Sequence, residues 1–91
     1  MRKDELIAAL ARFHLERDRP RTQYDCCLLG ARCSIAVGDI PRTDEEFIEA
    51  AYGQAKGLFG PAFEEADYAQ KSTWIDMCER ALREAAGAER I

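Results

Sequence analysis

The stretch that most limits what this chain can fold into is Thr22 to Val37, TQYDCCLLGARCSIAV. It holds three of the four cysteines and the longest dense run of apolar residues. Thr22 followed three places later by Asp25 is an N-cap pair, and Gly38 stands where a helix would stop. At a helical period Tyr24, Leu28, Ala31 and Ile35 fall on one apolar face. Cys26, Gly30, Cys33 and Val37 fall on a second, nearly opposite. Only a narrow stripe through Asp25 and Arg32 is charged. A helix that is apolar on two sides must be covered on two sides, which predicts a central helix between neighbours.

Those neighbours are written in the same code. From Asp4 to Arg17, Leu6, Ile7, Leu10 and Phe13 recur at helical spacing, with Asp4 and Glu5 in the positive first turn. RDRPRT (17–22) breaks this helix, because Pro20 cannot continue it and pushes Arg19 toward extended geometry. After the turn at 38–42, Thr43-Asp44-Glu45-Glu46 is the clearest capping box in the chain. It opens a third helix to about Lys56, ended by Gly57, with Phe47, Ile48, Ala51 and Ala55 inward. LFGPAF (58–63) reads as an apolar loop in which Pro61 starts a short helical turn through Glu65. Asp67 with Gln70 caps a last helix to about Ala86, stopped by Gly87. Tyr68, Ile75, Cys78, Ala81, Leu82 and Ala85 form its inward side. No strand-like alternation occurs, and short connections favour antiparallel neighbours. The expectation is a single domain spanning 1–91, an all-α compact bundle of four main helices around the Cys-rich one.

Composition excludes several classes of protein. An apolar fraction of 47% is too high for a disordered chain. No apolar run approaches the roughly 20 residues of a membrane helix, so no membrane partner is expected. The opening MRKDELIAALARFHLERD lacks the uncharged core of a signal peptide, which predicts an intracellular, cytoplasmic protein with reduced cysteines. Charge is distributed unevenly. Residues 1–42 carry a net +2, whereas 43–67 set seven carboxylates against Lys56 alone, a net −6 within a total of −4. A field of that strength speaks to partners and not to fold.

Among chemistry-bearing groups, Cys26 and Cys33 share a helix face and Cys78 lies on the inward side of the last helix. With His14 they make a zinc site conceivable, but no Cys-x-x-Cys pair places two sulfurs around one metal. The reading assigns no metal and no cofactor, and takes the cysteines as small apolar fillers between close helices. Cys26 and Cys33, about 10 Å apart along one helix, cannot bridge to each other. Cys26 follows Asp25 in the first turn, where the helix dipole favours a thiolate. On this first helix plus YDCCLLGARCSIAVG, residues 1–38 resemble the opening of the NlpC/P60 papain-like hydrolases, and the resemblance would make Cys26 the nucleophile. That chemistry needs a histidine base downstream on a strand, whereas His14 lies upstream and no strand follows, so no enzyme is expected.

A second resemblance covers residues 47–86. Ala51-Tyr52, Gly60-Pro61-Ala62-Phe63-Glu64-Glu65-Ala66, then Lys71, Trp74 and Ala81-Leu82 look like small helical proteins of bacteriophages and mobile elements. The resemblance implies origin in an infected or lysogenic bacterial host. It also implies a role in binding and blocking a host protein, as anti-CRISPR and other anti-defence proteins do.

The acidic block gives that role a physical form. Asp44, Glu45, Glu46 and Glu49 begin the third helix, and Glu64, Glu65 and Asp67 follow in the next loop. Placed on one surface, they would imitate a phosphate backbone and occupy a basic groove. The leading expectation is therefore a non-enzymatic interaction protein, an inhibitor or adaptor. Its partner is a host protein, including a nucleic-acid-binding complex, with no direct nucleic-acid contact by this negatively charged chain. Two alternatives stand beside it. One is a metal- or thiol-dependent module using His14 and the cysteines. The other is a binder of phosphate-bearing small ligands through Arg17, Arg19 and Arg21, whose charge Asp18 partly offsets. A homodimer burying one apolar face of the central helix is a further expectation. Trp74 is assigned to the core, and Phe59 and Phe63 to the core or to a partner patch.

Overall fold

The computed structural model describes residues 6, 7, 9, 10, 12, 13 and 22–89. Asp4, Glu5, His14, Arg17, Asp18, Arg19, Pro20 and Arg21 lie outside the described residues, and with them both ends of the expected first helix. The described residues of the opening segment are helical. They are followed by α1 (Gln23–Ala36), α2 (Asp44–Phe59), the short α3 (Pro61–Glu65) and α4 (Tyr68–Glu89). No strand occurs among the described residues, and the protein is an all-α bundle as expected.

Local chemistry starts and stops these helices. Thr22 sits in extended backbone and its hydroxyl accepts from the Asp25 N–H at 3.1 Å. Thr43 does the same for Glu46 at 3.1 Å, and the Asp67 carboxylate accepts from the Gln70 N–H at 2.8 Å. Each side chain satisfies one of the amide donors that a helix leaves unpaired at its start. At the other end of α1, Gly38 takes φ +85. Its N–H reaches Ile35 O and the Asp39 N–H reaches Ser34 O, both at 3.0 Å. This paired closure is the Schellman arrangement, which requires the left-handed residue that glycine supplies without strain.

Two expected stops are not stops. The third helix runs past Gly57 to Phe59 and turns at Gly60, whose φ is +56. Arg12 Nη2 donates to Gly57 O at 2.6 Å, satisfying one carbonyl that the helix end would otherwise leave free. The last helix likewise passes Gly87 and reaches Glu89. Gly87 lacks positive φ, so it is only a weak helix former there and not a terminator.

One core cluster joins the elements. Cys27, Ala31 and Ile35 enter it from α1, and Phe47, Ala51 and Ala55 from α2. Phe63 caps it from α3, and Trp74, Cys78, Ala81, Leu82, Ala85 and Ala86 fill it from α4. The most extensive helix contacts are those of α4 with α1 and with α2, while α1 and α2 touch each other less. The Cys-rich helix is buried over a wide arc, but its two expected faces are joined into one. Cys27 and Ser34 lie between them and are buried, while Val37 at the end of the second face is exposed.

Two further assignments are corrected. Ile48 is 51% exposed, because the buried arc of α2 centres on Phe47, Ala51, Gln54 and Ala55 and Ile48 falls at its margin. Tyr68 is 87% exposed. It occupies the correct angle on α4, but at the first residue of the helix, beyond the end of the core. In the opening segment Ile7 is buried and Leu10 half-buried, whereas Leu6 and Phe13 are exposed at the edges of that stripe. The aromatic loop closes inward: Phe59 stacks on Trp74 with ring centroids 4.3 Å apart, and Phe63 is buried against both Tyr52 and Trp74.

Two substitutions test this packing by urea unfolding. Leu82→Ala removes a fully buried side chain and is expected to lower stability by about 3 kcal/mol. Gly87→Ala adds a methyl group to helical backbone with nothing within 4 Å of it, and is expected to raise stability by about 0.5 kcal/mol.

Candidate functional site

All seven acidic residues singled out above are exposed, but the fold divides them. Asp44, Glu45, Glu46 and Glu49 stand on the first turns of α2. Glu64, Glu65 and Asp67 follow its far end, with Glu64 beside Lys56, about 18 Å along the helix from Asp44. Three of the seven are engaged within the chain. Asp44 Oδ1 accepts from Arg83 Nη2 at 3.0 Å, and the same guanidinium donates to Glu79 at 3.1 Å while lying over the Phe47 ring. Glu64 pairs with Lys56 at 3.7 Å, and Asp67 caps α4. Glu45, Glu46, Glu49 and Glu65 have no ion-pair partner among the described residues.

The first three of these belong to a built surface. Along the outer side of α2, Glu45, Ile48, Glu49 and Tyr52 follow one another at helical spacing, with Ile48 and Tyr52 each half exposed. Tyr52 is held edge-on against Phe63, centroid to centroid 5.6 Å, so it is a positioned aromatic. On the other flank, Glu46, Glu49 and Ala50 meet Asp39, Ile40 and Pro41 across an open groove of about 260 Å³. The result is an acidic ridge bordered on both sides by apolar side chains. The sequence singled out its carboxylates. It misplaced Ile48 in the core, and it did not single out Tyr52 as a contact residue, although that residue's position one turn after Ile48 carries the signal.

The thiols are arranged differently from expectation. Cys27, absent from both expected faces, is fully buried and meets Cys78 with sulfurs 3.4 Å apart. Both are free. The Cys78 S–H donates to Cys27, which favours the thiolate at Cys27. That hydrogen bond, followed by burial, drives the Cys78 thiol far above its ordinary range. Cys26 follows the opposite logic to a helix-activated nucleophile. Burial raises its thiol, and the neighbouring Cys27 and Asp25 add to the shift. Burial raises Cys33 as well. No group of three or more metal-ligating side chains forms among the described residues, and His14 and the arginine loop lie outside them. Across the same helix pair, the Tyr24 hydroxyl donates to Glu84, which together with burial raises the phenol.

Comparison of the chain with protein-family models, curated proteins and solved structures finds no match. The fold and site define a small helical bundle with an acidic, apolar-edged ridge, and the resemblances noted in the sequence rest on their residues alone.

The raised groups make a pH dependence. A thiol or phenol held protonated by the fold contributes stability that is complete below its unfolded value and is lost as pH climbs through its folded value. Cys26, Cys33 and Tyr24 all shift upward, so stability is expected to fall from about pH 9 upward. Urea midpoints between about pH 7 and 10.5 measure this, and Cys26→Ser/Cys33→Ser is expected to flatten the decline.

Proposed function

We propose that this is a non-enzymatic interaction protein that uses the outer ridge of α2 to occupy a basic groove on a partner protein. The observation that carries this reading is the ridge itself: Glu45, Glu46 and Glu49, without ion-pair partners among the described residues, interleaved with exposed Ile48 and Tyr52. Carboxylates engaged by neighbouring side chains, such as Asp44, are poorly placed to attract a second cation. Those of the ridge present their full charge outward. Glu45 and Glu49 stand one helical turn apart, about 6 Å along the axis, so the ridge presents a row of negative charge to a surface built for phosphates. Charge speeds and orients the encounter, while a fixed tyrosine and an aliphatic neighbour supply desolvated contact once docked. The likeness of residues 47–86 to small phage proteins favours a bacterial host protein as the partner. A nucleic-acid-binding complex of a defence system is the kind of target whose groove this ridge would fill. In that setting the protein acts in the cytoplasm of the host; no helix among the described residues is long and apolar enough to cross a membrane.

The test is a binding series against the host protein captured by the wild-type chain. Charge reversal at Glu45, Glu46 and Glu49 to lysine is expected to weaken binding at least tenfold and to remove most of its salt dependence. Tyr52→Ala is expected to weaken it while leaving the salt dependence intact. Reversal of Glu64 and Glu65, at the far end of α2, is expected to have little effect. Binding unchanged by the triple reversal would exclude the ridge.

A further inference from the structure

We propose that Cys27 and Cys78 form a modification site, a buried dithiol that a peroxide converts to a disulfide stapling α1 to α4. The proposal rests on placement. Two free cysteines, 51 positions apart in sequence, meet with sulfurs 3.4 Å apart across one of the two most extensive helix contacts of the bundle. A disulfide needs about 2.05 Å between sulfurs, so closure asks each sulfur to move by roughly 0.7 Å. Cys26 and Cys33 are placed differently: they stand two turns apart along α1, too far to bridge to each other. Cys27, nearer an exposed helix end than Cys78, which lies in the middle of α4, is assigned as the nucleophile of the pair and Cys78 as the resolving thiol.

The chemistry balances with hydrogen peroxide as the oxidant. The Cys27 sulfur attacks one peroxide oxygen, the O–O bond breaks and water leaves, giving a sulfenic acid on Cys27. The Cys78 sulfur then attacks the Cys27 sulfur; the S–O bond breaks and a second water leaves with the Cys78 proton. Two thiols lose two electrons and two protons, and one peroxide becomes two waters. Both residues are fully buried, and buried thiols react slowly, but the path in is short. Cys27 is the fifth residue of α1, just beyond the turn that begins at the exposed Thr22 and Gln23, so the oxidant reaches its sulfur when that end of the helix opens. The product closes a loop that contains all of α2 and α3. It stabilises the bundle by restricting the unfolded chain and leaves the acidic ridge chemically unchanged.

The experiment treats the reduced Cys26→Ser/Cys33→Ser protein, and in parallel the wild-type chain, with hydrogen peroxide. Intact mass, peptide mapping and thermal unfolding are the readouts. The expected result is a mass loss of about 2 Da, a linked peptide joining Cys27 to Cys78, and a rise in Tm on the order of 10 °C. Dithiothreitol is expected to reverse all three, and Cys78→Ser is expected to abolish the mass loss. Gain of about 16 Da or its multiples without a link, or a link that leaves Tm unchanged, overturns the proposal. Where the serine variants fail to fold, the peptide map and Tm of the wild-type chain distinguish the same two outcomes.

Discussion

The structure depends on the close approach of α4 to its two long neighbours, and that approach depends on small side chains. Cys27 and Ala31 on α1, Ala51 and Ala55 on α2, and Cys78 and Ala81 on α4 are all fully buried. Small residues let helix backbones come near enough for many weak dispersion contacts to accumulate. Three aromatic rings then meet at one end: Phe59, Phe63 and Trp74 close the bundle where α2 gives way to α3 and α4 begins. The cysteines are thus packing residues before they are anything else, and the meeting of Cys27 and Cys78 is a product of that tight seam.

The polar groups inside this seam are few and unevenly satisfied. The Gln54 side chain takes a place on the buried face of α2 because its amide nitrogen donates to Gly30 O on α1 at 3.1 Å, tying together the two long helices that touch least. Its oxygen, like the Trp74 indole N–H, is buried without a partner among the described residues. Each such group costs about 1–3 kcal/mol relative to a paired one. Gln54 therefore fixes how α1 and α2 sit at some cost in stability, a use of a buried polar group that favours one arrangement over its neighbours.

What could be read from the sequence was what local chemistry decides. Thr22, Thr43, Asp67 and Gly38 each act within four residues of themselves, so spacing alone locates them. Gly57 and Gly87 were misleading for the same reason. Glycine permits a stop without imposing one, and the Gly57 carbonyl finds its partner in Arg12, 45 positions away. Ile48 and Tyr68 show the limits of periodicity: it assigns an angle around a helix, but neither the width of the buried arc nor the point along the axis where the core ends. Cys27 was overlooked because dividing α1 into two faces left the residues between them unassigned. At the candidate site the exposure of the carboxylates was legible, but their pairing was not. The contacts of Asp44 with Arg83 and of Lys56 with Glu64 are cross-element facts, and they decide which carboxylates remain available.

That division turns a run of acidic residues into a surface with direction. By composition, residues 43–67 are uniformly negative. In the fold, the far end of α2 engages Glu64 with Lys56 and Asp67 with the cap of α4. At the near end Arg83 takes up Asp44 and leaves Glu45, Glu46 and Glu49 to face outward. The Arg83 fork, bridging Asp44 and Glu79 above Phe47, also fixes how the start of α2 lies against α4. The outward carboxylates are therefore carried on the part of α2 whose position is anchored. A charged ridge on a fixed helix loses little conformational freedom when a partner docks, and preorganisation of that kind raises affinity without adding contacts. The same packing that hides the thiols holds the ridge still.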